Sequence, residues 1–89
     1  MKHELKTDSA VFHDVRVGEK TFEIRKNDRN FQVGDTLLLR ETAFTGNAMA
    51  TLGAPLEYTG DELTVTVKYV MNGPTYGLAV DWCIMSIAL

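Results

Sequence analysis

The chain has 89 residues, 45% of them hydrophobic and 24% charged, and a formal net charge of −3. That length allows one modest core and excludes a multi-step enzyme with a separate cofactor domain, while the composition is that of an ordered globular domain. The negative charge excludes a protein that coats duplex nucleic acid through a broad cationic face, because such binding draws its affinity from neutralised phosphates.

The expected elements follow in chain order. His3 to Lys6 predicts a short first strand. Asp8 or Ser9 is placed to cap a helix whose apolar residues Val11, Phe12 and Val15 lie along one side, and Gly18 is placed to end it. From Thr21 to Lys26 the alternation is that of a strand, with Phe22 and Ile24 expected to face the core and Thr21, Glu23 and Arg25 the other side. Asn27-Asp28-Arg29-Asn30 is turn chemistry, and Val33-Gly34-Asp35 is a second turn in which Asp35 fixes the bend. The next strand, Thr36 to Glu41, holds Leu37, Leu38 and Leu39 in succession, which predicts burial on both faces. Residues 42–60, rich in Thr, Ala and Gly without a clean period, predict a long mobile loop or insertion. Glu62 to Met71 alternates strictly, with Leu63, Val65, Val67, Tyr69 and Met71 on one side. Asn72-Gly73-Pro74 ends that strand, and Trp82 to Leu89 predicts a final buried strand with Trp82 in the core. The expected fold class is a single α+β, mainly β domain over residues 1–89. About five strands close into a small barrel, which removes sheet edges, and one N-terminal helix plugs an end.

Charge is uneven along this plan. Eight of the nine Lys and Arg residues lie in the first 40 positions, and only Lys68 lies beyond them, so an anionic partner is expected to meet the first half. No apolar run approaches the roughly 20 residues of a membrane span, and Met1-Lys2-His3-Glu4 lacks an apolar signal core. Cys83 sits in an apolar run without a flanking cation, the pattern of an inert buried thiol in a reducing compartment. The expected location is the cytoplasm, without membrane association. His3 and His13 have no Cys or acidic residue at ligand spacing, so neither a metal nor another cofactor is expected.

Gly18, Lys20, Glu23 and Arg25 form the pattern GxKxxExR. With it stand His3-x-Leu5-Lys6-Thr7, the run Lys20 to Arg29, Phe31-x-Val33-Gly34-Asp35 and Tyr58-Thr59-Gly60. In these segments the chain resembles the ASCH domains of the PUA-like superfamily, and within them a short phage and bacterial group. The resemblance implies a PUA-like pseudobarrel with a cleft between the helix and the signature strand, and binding of RNA or nucleotides there. A small bacterial branch of similar fold hydrolyses the N4-acyl group of acetylated cytidine, using the signature lysine with a threonine and a downstream glutamate. Here the lysine is Lys20 and the threonine's position is held by Glu23.

The leading expectation is an RNA- or nucleotide-binding module. Arg25 binds phosphate in fork geometry and Glu23 accepts a base amino group, while Lys20 and Lys26 add positive charge and Tyr58 and Tyr76 rim the cleft by stacking. Arg29 and the Asn27 amide extend the cationic edge. Strict alternation puts Lys20 and Glu23 on opposite faces, so a shared site requires an irregular start at Lys20. The alternatives are an amidohydrolase-like enzyme on a modified nucleoside, with Lys20 as base and Glu23 activating water, and a phage or bacterial module that meets a protein partner through the 42–60 segment.

Overall fold

The computed structural model describes residues Met1–Leu89. Its strands are β1 (Lys2–Asp8), β2 (Phe22–Lys26), β3 (Thr36–Thr42), β4 (Tyr58–Asn72) and β5 (Trp82–Ala88), and its helices are α1 (Ser9–Arg16) and α2 (Gly46–Leu52). All five strands join one sheet in the order β1-β3-β4-β5-β2, with β1 parallel to β3 and every other pair antiparallel. The fold is therefore α+β and mainly β.

In a flat sheet the edge strands β1 and β2 would lie four spacings apart, about 19 Å. Instead Arg25 Nη2 donates to the Lys6 carbonyl at 2.9 Å, and Arg29 Nη1 donates to the Glu4 carbonyl. The sheet is curled until its two edges face each other across arginine side chains. This corrects the expectation of a closed barrel: the result is a half-barrel whose seam has no backbone ladder. The arginines occupy carbonyls on the free edge of β1, which also blunts it against pairing with another strand.

The concave side holds the core: Leu5, Leu37, Leu39, Val65, Val67, Cys83, Met85 and Ile87, with Phe12 and Val15 from α1 and Phe31 from the turn before β3. In β3, Leu37 and Leu39 are fully buried while Leu38 is only half-buried, so the triple-leucine strand alternates instead of burying both faces. β4 runs longer than its alternation suggested. Between Val67 and Tyr69 its register against β5 shifts by one residue, so Lys68 is bulged. The bulge reverses the alternation: Tyr69 turns outward, 59% exposed, and Val70 packs on the core. Gly73 then turns the chain toward β5, where a Cβ would collide with the Ala79 carbonyl.

Three further expectations change. The 42–60 segment contains α2, capped by Thr45, whose hydroxyl accepts from Ala48 N at 3.0 Å, and ended by Gly53 in the left-handed region at φ 69°. Asp8 stands at the start of α1 without capping it through its side chain. Its carboxylate accepts from Gly46 N at 2.9 Å instead, which ties α2 to β1. Asp35 does more than fix a turn. It accepts from the Gln32 amide at 3.0 Å, from His3 Nε2 at 2.9 Å and from the Met1 amino nitrogen at 3.0 Å. Those contacts, the His3 hydrogen bond foremost, hold its carboxyl down at about 2.

Candidate functional site

α1 decides how the chain enters β2. Its last turn closes with Val17 N donating to His13 O, and Gly18, at φ +80°, lets the chain reverse with its own N–H on Val15 O. The amides of Glu19 and Lys20 then both donate to the Asp14 carbonyl, at 2.9 and 3.0 Å. Lys20 is thereby held under the helix end and outside the β2 ladder, which begins at Phe22. This is the irregular start that a shared site requires.

The strand that follows is inverted relative to expectation. Glu23 is buried at 2% exposure, whereas Phe22 and Ile24 are 42% and 47% exposed. The reason lies in the register with β5: Glu23 stands opposite Met85 and Arg25 opposite Cys83, both core residues, while Phe22 and Ile24 stand opposite Ser86 and Ile84 on the convex face. The buried carboxylate is satisfied by charge on both oxygens. Lys20 Nζ lies 3.4 Å from Oε1 and Arg25 Nε 2.9 Å from Oε2. The two cations keep 19% and 26% side-chain exposure, so the pair of ion bridges has a dry floor and a wet rim.

This triad sits in a cleft of about 540 Å³ that follows the β1–β2 seam. Its lining includes Leu5, Lys6 and Thr7 from β1, then Lys20, Glu23, Arg25, Lys26 and Arg29, with Phe31 and Trp82. Five cationic side chains line it against the three carboxylates Asp8, Glu23 and Asp28, a local excess of positive charge in a chain of net −3. Hydrogen-bonding capacity is left over. A carboxylate offers about four acceptor positions and a guanidinium five donors, while Glu23 uses two with these cations and Arg25 donates to Glu23 and to the Lys6 carbonyl. Cys83 is the ladder partner of Arg25 on β5, and burial pushes its thiol up, away from nucleophilic use.

The structure thus brings Lys20, Glu23, Arg25 and Lys26 to one cleft and leaves the two tyrosines outside it. Tyr58 lies under the Arg40 guanidinium, 3.7 Å from its ring centre. Tyr76, 93% exposed, is in the β4–β5 connection. The exposed aromatic residue that does reach the cleft is Trp82, 42% exposed and opposite Lys26, in contrast to its expected core position. Its phase was available in the sequence, since Cys83, Met85 and Ile87 form the apolar set of β5 and Trp82 belongs to the other. Thr7, marked in the sequence only as part of the wider pattern, is buried in β1 and lines the cleft as well. The Asn27 side chain does not extend the cationic edge: its amide donates to Asn72 Oδ1 at 2.7 Å and its Oδ1 accepts from Phe31 N at 3.0 Å.

No helix is long and apolar enough to cross a membrane. Residues 2–87 match the family described as "Domain of unknown function (DUF3850)", and the chain belongs to that family. It is also similar to the "Uncharacterized 12.9 kDa protein in GpA 3'region" of Escherichia phage P2, with 47% identity over 47 residues. That alignment takes in 49% of this chain and 43% of the phage protein, so the chain spans under half of that relative's length.

Proposed function

We propose that the β1–β2 cleft binds a nucleotide-like anion, as the base and phosphate of an RNA residue or as a free nucleotide, without catalysis. One observation carries this reading: a carboxylate at 2% exposure is held between Lys20 and Arg25 at the floor of an open, cation-rich cleft. Burying a charged triad is costly unless geometry and hydrogen bonding repay it, and a wholly apolar strand would seal the seam more simply. The unused acceptor positions of Glu23 suit a base amino group. Arg25, with Lys26 and Arg29 at the rim, suits phosphate. The sheet is read here as the PUA-like pseudobarrel of ASCH domains. Support comes from the GxKxxExR pattern and the helix that delivers it. A cytoplasmic setting is supported by the free, buried Cys83.

The test is binding of nucleoside monophosphates and short single-stranded RNAs at two salt concentrations. Binding should weaken with salt, and Lys26→Ala should reduce the slope by about one phosphate contact. Arg25→Ala should abolish it. Binding that ignores both substitutions, or none at all, sinks the reading. Hydrolysis of an acylated nucleoside is the second reading, favoured by Thr7, a residue that lines the same cleft as Lys20 and Glu23. Turnover lost in both Thr7→Val and Lys20→Ala would select it.

A further inference from the structure

The convex face of the β2–β5–β4 side carries aromatic side chains, of which only Trp82 also lines the cleft. Ladder partners share a face, so the buried set Glu23, Cys83 and Met85 places the intervening residues outside. They form rows across three strands. Phe22 stands beside Ser86 and Ser86 beside Tyr69, Ile24 beside Ile84 and Ile84 beside Met71, and Lys26 beside Trp82. Phe22, Trp82 and Tyr69 are 42%, 42% and 59% exposed. Tyr69 belongs to this face only because the Lys68 bulge reverses the strand's alternation.

The charge on these rows is of one sign. Lys20 Nζ lies 5.2 Å from the Phe22 ring centre, Lys26 adjoins Trp82, and Lys68 stands at the bulge. No carboxylate belongs to any of the rows, although acids outnumber bases in the chain, 12 to 9. Flat aromatic surfaces spaced on a sheet and flanked by lysines fit the two chemistries of a single-stranded nucleic acid, π-faces and phosphates.

We infer that this convex face is a stacking platform for single-stranded nucleic acid, with Phe22, Tyr69 and Trp82 receiving bases and Lys26 and Lys68 meeting phosphates. Phe22 and Tyr69 are two strands apart, about 10 Å, and the Trp82 row is four residues further along, about 14 Å, so the platform reads several nucleotides and not one. Lys26 and Trp82 also line the cleft. A strand with one nucleotide in the cleft therefore continues over the β2 edge onto this face. The inference rests on the cleft reading only for where the strand begins.

Fluorescence anisotropy with labelled RNA and DNA octanucleotides, beside titration with nucleoside monophosphates, tests it. The octamers should bind more tightly than monophosphates and quench emission from Trp82, the single tryptophan. Tyr69→Ala and Phe22→Ala should each weaken octamer binding about tenfold and leave monophosphate binding unchanged, and Tyr69→Phe should restore it. Octamer affinity indifferent to Tyr69 and Phe22 overturns the platform. So does absence of octamer binding, and a dimer in sedimentation that Tyr69→Ala dissolves would then make a second copy the occupant. Octamer binding that depends on Tyr69, with no monophosphate binding, keeps the platform and removes the cleft reading.

Discussion

β3 and β2 belong to the same curled sheet and alternate with the same period, yet they present opposite chemistry to its interior. β3 is central, paired on both sides, and turns Leu37 and Leu39 inward at 0% exposure. β2 is an edge strand, paired only with β5, and turns Glu23 and Arg25 inward while Phe22 and Ile24 face out. Leu39 in this central strand is flanked by Leu5 and Leu63, so a charge there would be stranded. An edge strand beside an open seam can bury a carboxylate because Lys20 and Arg25 reach it from the rim. The contrast teaches that polarity alone does not fix which side of a strand is inside; access to partners does.

The contrast can be broken by substitution. Leu39→Ala in β3 should cost about 3 kcal/mol in urea unfolding, the usual loss for a cavity at a fully buried leucine. Glu23→Ala in β2 should cost about 1–2 kcal/mol. Breaking a fully buried pair costs about 3–5 kcal/mol, but here both cations can turn toward water. Phe22→Ala, from a half-exposed convex site, should cost less than about 1 kcal/mol. A Phe22 penalty equal to that of Leu39 would mean that β2 has the opposite phase.

Acid titration sharpens the same comparison at the far end of β3. Asp35 has its carboxyl lowered from 3.8 to about 2, chiefly by His3 and then by the Gln32 amide. A lowered folded-state value means that its contribution is present above about pH 4 and is lost as pH falls toward 2. Glu41, held down by the Ser9 and Thr59 hydroxyls, acts in the same direction. Asp35→Asn should lower the stability plateau above about pH 4 and flatten the profile below it. A profile as steep as the wild type's would show that the His3–Asp35 contact does not contribute.

The five strands and the N-terminal helix were legible because alternation and helix-stop chemistry are local. Gly18 after Val15, Asn72-Gly73 after Met71 and Val33-Gly34 before Thr36 each marked a real boundary. α2 was not legible, since its Thr45 cap and Gly53 stop enclose a segment with no buried residue and hence no apolar period. The clustering of Lys20, Glu23 and Arg25 was legible as a pattern, although simple alternation opposed it. The Asp14 carbonyl, by holding two successive amides, supplies the irregular entry. Tyr69 was misplaced because a single bulge at Lys68 reverses the faces of β4, and Trp82 because the apolar run of β5 hides that it is out of phase with Cys83, Met85 and Ile87.

Sequence by itself determined that this chain builds a small, mainly β domain with its cations concentrated in the first half and a charged second strand, because period and turn chemistry act over a few residues. Only the tertiary structure decided that the sheet stops short of closing, that arginines span its seam, and that Glu23 faces in while Phe22 faces out. Those features depend on pairing between segments as distant as Glu23 and Met85. A period of two says that side chains alternate, and long-range register alone says which set meets the core.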